Sequence, residues 1–272
     1  MHCGRLDFGL VIRNHYRYYH RKTKKYRCVV ERIKFLLRYA GQGLLDLLFP
    51  AVCPHCRQVV TTFEEPICEP CLASLPRTDH AYKRQNEVEE LFLKYNERYK
   101  QPKFILGGAF CYYGKNNFRD LVHSAKFFHR PQINSQLAAM LAQEYAPYGF
   151  FDDIDMIFPI PLHPKRLKER GYNQTLYIAE GIHQVTQIPI ATQYLYRTIN
   201  NPKQSQQNYE ERGKNVEGIF AVHFPEQLKN KHILLLDDVI TSGSTIDSAL
   251  QVLFPIRDCK VSVLALACAH TS

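Results

Sequence analysis

The sequence lacks the long apolar run that a membrane span needs. Nowhere in its 272 residues do apolar side chains extend over the roughly 18 consecutive positions of a transmembrane helix. The first 30 residues are polar and basic, so they do not resemble an apolar export signal either. These absences exclude the class of helical membrane proteins, and we expect the chain to be cytoplasmic.

Two common phosphate-binding loops are also missing. The sequence contains neither a GxxxxGK[ST] loop nor a GxGxxG loop, which excludes the usual P-loop and dinucleotide-binding classes. Internal repeats and low-complexity segments are absent as well. What is present is typical of a globular chain: 45% of the residues are apolar and 22% are charged, enough for one large domain and a small one.

Positive charge is concentrated at one end of the chain. Residues 1–34 carry a net charge of +8, out of +9 for the whole sequence, so the remainder is nearly neutral. The stretch "RNHYRYYHRKTKKYR" interleaves tyrosines with cations, a composition that suits phosphate contacts and stacking on single-stranded bases. A disordered extension is the more common explanation of such a segment. We therefore expect either a disordered arm or a contact for single-stranded nucleic acid.

The strongest motif in the first third of the chain is a pair of CxxC sequences. The segment "CPHCRQVVTTFEEPICEPC" contains four thiols at a spacing typical of a zinc site: Cys53, Cys56, Cys68 and Cys71. Two disulfides are the alternative, but persistent disulfides are rare in a cytoplasmic chain. Four thiolates leave no open coordination position, so we expect a structural zinc ion rather than a catalytic one.

Beyond residue 104 the pattern alternates between apolar strands and amphipathic helices. Continuous apolar strands linked by helices predict an α/β fold with a mostly parallel sheet that is covered on both faces. In such sheets, ligands bind at the carboxyl ends of the strands. We expect four regions: a basic arm at 1–34, a helix with the cysteine module at 35–75, a charged connector at 76–103 and an α/β domain at 104–272.

The stretch "HILLLDDVITSGST" carries the main candidate site. Because neighbouring residues of a strand point to opposite faces, the adjacent acids Asp237 and Asp238 predict that the strand ends there. Free N–H groups at the start of the following helix would bind a phosphate. Carboxylates suit the hydroxyls of a ribose, so the stretch predicts a ribose 5-phosphate site. The phosphate would contact Thr241, Ser242, Gly243, Ser244 and Thr245.

A second candidate follows another predicted strand. The segment "FPIPLHPKRLKERGYNQ" presents Lys165, Arg166, Lys168 and Arg170 after two prolines. Basic loops are usually just solvated, but this one follows a buried strand, where a diphosphate would need cations. We take Arg166 and Arg170 as candidate diphosphate ligands.

These motifs together resemble two related groups of proteins. The aliphatic run, the two acids and the hydroxyl-rich loop are similar to the signature of type I phosphoribosyltransferases, without a gap. From about residue 44 to residue 268, the chain resembles the ComF family, which is associated with DNA uptake in competent bacteria. The matching elements, in order, are the four-cysteine module, "YYGKNNFRDLVHSAKF", "PIPLHPKRLKERGYNQ", "RTINNPKQSQQNYEERGKNVEGIF" and the phosphate loop.

The resemblance implies a type I phosphoribosyltransferase-like fold with a small zinc-ribbon module, and a donor site for 5-phosphoribosyl 1-diphosphate (PRPP) with Mg²⁺. It implies that Asp237 and Asp238 are the catalytic pair that holds the ribose. Lys126, Gln204 and Arg212 are further candidates that rest on the family pattern alone. The implied role is support of DNA uptake, with a competence helicase and other uptake proteins as partners.

The chain departs from the family pattern in two places. Residues 72–110 contain no cysteine, which supports a single zinc, and the basic arm has no counterpart. No residue identifies an acceptor substrate. Three functions therefore remain open: an active phosphoribosyltransferase, a non-catalytic PRPP-sensing or scaffolding protein, and an accessory protein that binds single-stranded nucleic acid.

Overall fold

The computed structural model describes residues 51–60, 66–83, 85–114, 116–127, 130–198 and 218–269, apart from the side chains of 117, 126 and 127. The basic arm and the helix expected after it lie outside the described residues. From Val52 on, the described residues form one compact unit.

The centre of this unit is a four-stranded parallel sheet, which confirms the predicted α/β architecture. Six strands are described in all: β1 Phe104–Tyr113, β2 Met156–Pro159, β3 Leu195–Arg197, β4 Phe220–Val222, β5 His232–Ile240 and β6 Lys260–Ala269. The order in the central sheet is β1-β6-β5-β2, with every neighbouring pair parallel. Strands β3 and β4 form a separate antiparallel ribbon.

Helices connect the strands of the sheet. They are α1 Glu69–Ala73, α2 Glu87–Tyr99, α3 Asn117–Phe127, α4 Gln132–Tyr145, α5 Pro164–Arg170, α6 Gln174–Thr186 and α7 Ser244–Leu253, with 3₁₀ turns at Ala146–Tyr148 and Pro225–Leu228. Among the described residues, no helix combines the length and the apolar character that a membrane crossing requires.

Both faces of the sheet are buried, and β5 shows why its sequence is a continuous apolar run. Ile233 and Leu235 pack into a cluster with α2 and α7 on one face, whereas Leu234 and Leu236 pack into a second cluster with α4 and α6 on the other. Side chains alternate between the two faces of a strand. When both faces are buried, every position along the strand favours an apolar residue.

Helix α2 lies on the first of these faces. The side chain of Asn86 caps its first turn by accepting hydrogen bonds from the N–H groups of Val88 and Glu89. Val88, Phe92 and Tyr95 are buried in the cluster that contains Ile233 and Leu235. The charged segment 76–103 therefore contributes one helix to the hydrophobic core.

Candidate functional site

The prediction that the acid pair marks a strand end was wrong. Strand β5 continues two residues past Asp238 to Ile240. It does so because β6 runs beside it as far as the pair Ile240 and Cys268. On its other side, β2 stops at Pro159, opposite Leu236. The acids thus lie where one neighbouring strand has ended and the other continues.

Local hydrogen bonds hold both carboxylates against the main chain. Asp237 Oδ1 accepts a hydrogen bond from the N–H group of Asp238 at 2.8 Å, and Asp238 Oδ1 accepts one from the N–H group of Val239 at 2.8 Å. Both acids are half-buried. The open edge left by β2 gives them access to a ligand, as expected at the carboxyl end of parallel strands.

Gly243 forms the turn between β5 and α7. Its backbone has φ 75° and ψ 1°, in the left-handed region that favours glycine. A Cβ atom at this position would also lie 3.1 Å from Phe92 Cζ of α2. Both the backbone conformation and the close helix therefore require glycine at this turn.

The start of α7 has the features of an anion site. No side chain caps the helix, and the N–H group of Asp247 makes the hydrogen bond to the carbonyl of Gly243 at 2.8 Å. The N–H groups of the residues before Asp247 have no partner within the helix, as at any helix start. The hydroxyls of Ser242 and Ser244 lie 3.2 Å apart, and both residues are exposed.

The predicted basic loop is a short helix. Helix α5 follows the carboxyl end of β2 and is capped by His163, whose Nδ1 accepts a hydrogen bond from the N–H group of Lys165 at 3.2 Å. Arg166 is exposed. Arg170 is half-buried, and its guanidinium donates a hydrogen bond to Gln174 Oε1 of α6. Because β2 neighbours β5, α5 and the acid pair occupy the same edge of the sheet.

Sequence interpretation did not single out Arg197, which the structure brings to this edge. Burial lowers the pKa of Arg197, the charge of Arg166 lowers it further, and the carboxylate of Asp237 raises it. Its guanidinium also lies 5.5 Å from the centre of the Phe220 ring. Three charged residues from β3, α5 and β5 are therefore electrostatic neighbours. The only signal in the sequence was an arginine closing a short strand, within a segment already matched to the family.

The four predicted zinc ligands lie together. The sulfur atoms of Cys53, Cys56, Cys68 and Cys71 are all within 4.8 Å of one another, and those of Cys56 and Cys68 are 3.4 Å apart. Zn–S bonds of about 2.3 Å in a tetrahedron place sulfurs about 3.8 Å apart, so the cluster could hold a metal ion such as zinc.

The thiols of the cluster differ in acidity. Burial raises the pKa of Cys53, but hydrogen bonds with the backbone at Cys68, Cys56 and His55 outweigh it and bring this pKa down to about 6. Burial and the neighbouring sulfurs raise the pKa of Cys71. These backbone hydrogen bonds therefore favour the thiolate of Cys53, the form that a metal binds.

Contacts with the α/β core position the two halves of the cysteine cluster. The guanidinium of Arg130 donates to the carbonyl of Val52 at 2.9 Å, and the side chain of Gln136 accepts from the N–H group of Ile67 at 3.2 Å. His55 Nδ1 lies 3.1 Å from Asp120 Oδ2 of α3. The cluster is therefore attached to α3 and α4 and to the turn between them.

Three candidates suggested by the family pattern cannot be placed. Gln204 and Arg212 lie outside the described residues, and so does the side chain of Lys126. The acid pair, the phosphate loop and Arg166 thus lie at the same edge of the sheet. Arg197, which the sequence motifs did not indicate, lies there as well.

Several curated proteins are similar to this chain, although no family model matches it. DNA utilization protein YhgH of Escherichia coli K12 is 27% identical over 149 residues, which are 54% of this chain and 65% of that protein. Competence protein ComFC of Bacillus subtilis is 26% identical over 206 residues, 74% of this chain and 77% of that protein. The match to YhgH proteins thus spans less than two thirds of their own length.

Two solved structures resemble part of this chain. A glutamine PRPP amidotransferase from B. subtilis aligns with a TM-score of 0.33 and 20% identity, over 49% of this chain and 26% of that one. A purine phosphoribosyltransferase from Pyrococcus horikoshii aligns with a TM-score of 0.31 and 14% identity, over 49% of this chain and 80% of that one.

Proposed function

The relatives support assignment of the chain to the ComF family, and on that premise we propose that it is a PRPP-binding, phosphoribosyltransferase-like protein that serves DNA uptake in natural competence. The observation that carries the proposal is the order of groups at the end of β5. Two half-buried carboxylates are followed within three residues by exposed hydroxyls and then by an uncapped helix start. This order suits a ribose that bears a 5′-phosphate.

In the proposed complex, Asp237 and Asp238 accept hydrogen bonds from the two ribose hydroxyls. A hydrogen bond to a charged acceptor is worth about 1.5 to 3 kcal/mol, so the pair would supply much of the donor's affinity. Their oxygens are also the hard ligands that Mg²⁺ takes, and Mg²⁺ bound with the diphosphate would neutralise part of its charge.

The 5′-phosphate would bind at Thr241, Ser242, Gly243, Ser244 and Thr245. Here the N–H groups at the start of α7 and the hydroxyls donate hydrogen bonds, and the helix dipole favours the negative charge. The left-handed turn at Gly243 supports this role because it lets α7 start directly after the hydroxyl-rich loop.

The diphosphate would bind beside α5. Arg166 and Arg170 belong to this helix, and Arg197 lies close enough to Arg166 for their charges to interact. Like charges held together raise each other's energy, so an anion placed among them would be stabilised by relief of that repulsion as well as by hydrogen bonds.

We further propose that the four-cysteine cluster holds a structural zinc ion. We also propose, from the sequence of the basic arm, that it contacts single-stranded DNA, and, from the family assignment, that a competence helicase is a partner.

Thermal unfolding in the presence of ligands tests the donor site. With Mg²⁺, we expect PRPP to raise the melting temperature more than ribose 5-phosphate does, and ribose 5-phosphate more than inorganic phosphate. A ligand at about 100 times its Kd stabilises the fold by about 2.7 kcal/mol, which a melting curve resolves.

In the Arg166→Ala/Arg170→Ala variant, the shift with PRPP should come closer to the shift with ribose 5-phosphate, because two of the three proposed cations beside the diphosphate are removed. The exposed Arg257→Ala variant serves as the matched control and should behave as the wild type. Equal shifts with all three ligands in the wild type would contradict the proposal.

A further inference from the structure

Gln174, the first residue of α6, joins the proposed diphosphate site to the core of the fold. The residue is buried, with only 4% of its surface exposed. Its Oε1 accepts a hydrogen bond from the guanidinium of Arg170, the last residue of α5. Arg170 itself is half-buried, so part of it remains accessible. Gln174 therefore holds in place a cation that is proposed to contact the diphosphate.

Hydrogen bonds anchor the start of α6 next to the acid pair of β5. The carbonyl of Ile160 accepts hydrogen bonds from Nδ2 of Asn173 at 3.1 Å and from the hydroxyl of Thr175 at 2.7 Å. The N–H group of Ile160 donates to the carbonyl of Leu236, the residue before the acid pair, at 2.9 Å. The residues on both sides of the glutamine are thus tied to β5, which fixes the glutamine relative to the proposed ribose site.

The amide of Gln174 has one group without a partner. Within the described part of the chain, its Nε2 is buried and makes no hydrogen bond. Buried donors are nearly always hydrogen-bonded, because one that is not destabilises the fold. Methionine has a similar length and would fill the same space without an unpaired donor. The amide at this position therefore has a use other than packing.

A neutral acceptor leaves the charge of Arg170 available. Glutamate at position 174 could accept the same hydrogen bond and would leave no donor unpaired. It would also form an ion pair with the guanidinium and cancel much of its positive charge. The ion pairs among the described residues do not include Arg170. Glutamine thus fixes the guanidinium through an oxygen atom and leaves its charge to attract an anion.

We propose that Gln174 is a positioning residue of the diphosphate site that acts through Arg170. It fixes the guanidinium and, because it is neutral, leaves the full charge of that cation to the diphosphate. The inference rests on the proposed function. Gln174 should therefore contribute to the affinity for PRPP, whose diphosphate lies beside Arg170, and not to the affinity for ribose 5-phosphate, which has no diphosphate.

Calorimetric titration of PRPP and of ribose 5-phosphate, each with Mg²⁺, tests the inference in two variants. Gln174→Glu should lower the affinity for PRPP at least about tenfold, the lower end of what one charged hydrogen bond contributes. Gln174→Met should lower it by a smaller factor, since Arg170 then keeps its charge and loses only its fixed position. Neither variant should change the affinity for ribose 5-phosphate, which also shows that both are folded.

A double-mutant cycle with Arg170→Ala separates positioning from a merely structural role. In the Arg170→Ala background, Gln174→Met should have no further effect on the affinity for PRPP, because the group that it positions is absent. An equal loss in both backgrounds would show that Gln174 acts on the fold and not through Arg170, and would overturn the inference.

Gln184→Glu is the matched control, because Gln184 is exposed on the same helix about 15 Å further along its axis. It should bind both ligands as the wild type does. If the wild type binds PRPP and both variants at position 174 bind it equally well, the inference fails and the proposed function stands. If the wild type does not bind PRPP, both fail.

Discussion

Gly243 and Gly171 both adopt positive φ, at 75° and 81°, but they differ in what surrounds them. A Cβ on Gly243 would meet the ring of Phe92, whereas nothing lies within 4 Å of one on Gly171. Alanine at position 171 would therefore cause backbone strain alone, whereas alanine at position 243 would cause backbone strain and a contact with Phe92.

We expect Gly171→Ala to lower the free energy of unfolding by about 1 to 2 kcal/mol, the usual cost of a left-handed residue with a Cβ, and to leave ligand affinity unchanged. Gly243→Ala should cost more and should also weaken phosphate binding, since relief of the contact with Phe92 has to move the turn. Urea denaturation and titration with ribose 5-phosphate measure the two effects. Equal behaviour of the two variants would contradict a special role for Gly243.

Residues next to one another in sequence were the easiest to recognise as a site. Asp237, Asp238 and the loop up to Thr245 form one continuous motif, and each residue type has a chemical reason for its place. Arg197 could not be found in this way, because its position beside Arg166 depends on the pairing of β3 with β4. That pairing joins segments on either side of residues 199–217, and no local pattern indicates it.

At the scale of elements, periodicity predicted strands well where both faces are covered. The apolar stretches "FILGGAFCYY" and "KVSVLALACA" form β1 and β6 over their whole length. Strand β5 ran past its expected end because pairing with β6, rather than its own polar residues, decides where it stops. Helix α5 was taken for a loop, since its seven residues are nearly all exposed and show no apolar face.

The cysteine cluster gives a prediction at this scale. Freshly purified, reduced protein should contain close to one zinc ion per chain, and Cys68→Ser should lose it. Structural zinc contributes on the order of 10 kcal/mol to small folds, so the loss should be large. Because Ile67 and Cys71 share a hydrophobic cluster with Phe110 of β1, the midpoint of urea denaturation of the α/β core should fall too.

Cys259→Ser is the control for this experiment, because Cys259 is buried in the other hydrophobic cluster. It should lower stability modestly and keep the zinc. Elemental analysis together with denaturation measures both quantities. Wild-type protein without zinc would contradict the assignment of the four thiols.

For the whole molecule, the order of elements along the chain predicted the α/β class, because a parallel sheet needs crossover helices. The order of strands in the sheet was not predictable from this pattern. It nevertheless decides the function proposed here, since it places β2 and β6 on either side of β5. The cations of α5, which follows β2, consequently lie at the same edge of the sheet as the acid pair of β5. The segment expected to be a charged connector contains apolar residues at helical spacing, and Val88, Phe92 and Tyr95 of α2 are buried in the core.

Calorimetric titration of PRPP with Mg²⁺ into the wild type and the Asp237→Asn/Asp238→Asn variant tests the donor site most directly. Asparagine keeps the shape and can still accept the local hydrogen bonds from the main chain, so the melting temperature should barely change. The variant loses two charged acceptors, each worth about 1.5 to 3 kcal/mol, and donor affinity should fall at least about tenfold. A wild type that binds no PRPP, or a variant that binds it equally well, would contradict the assignment of this pair to the ribose.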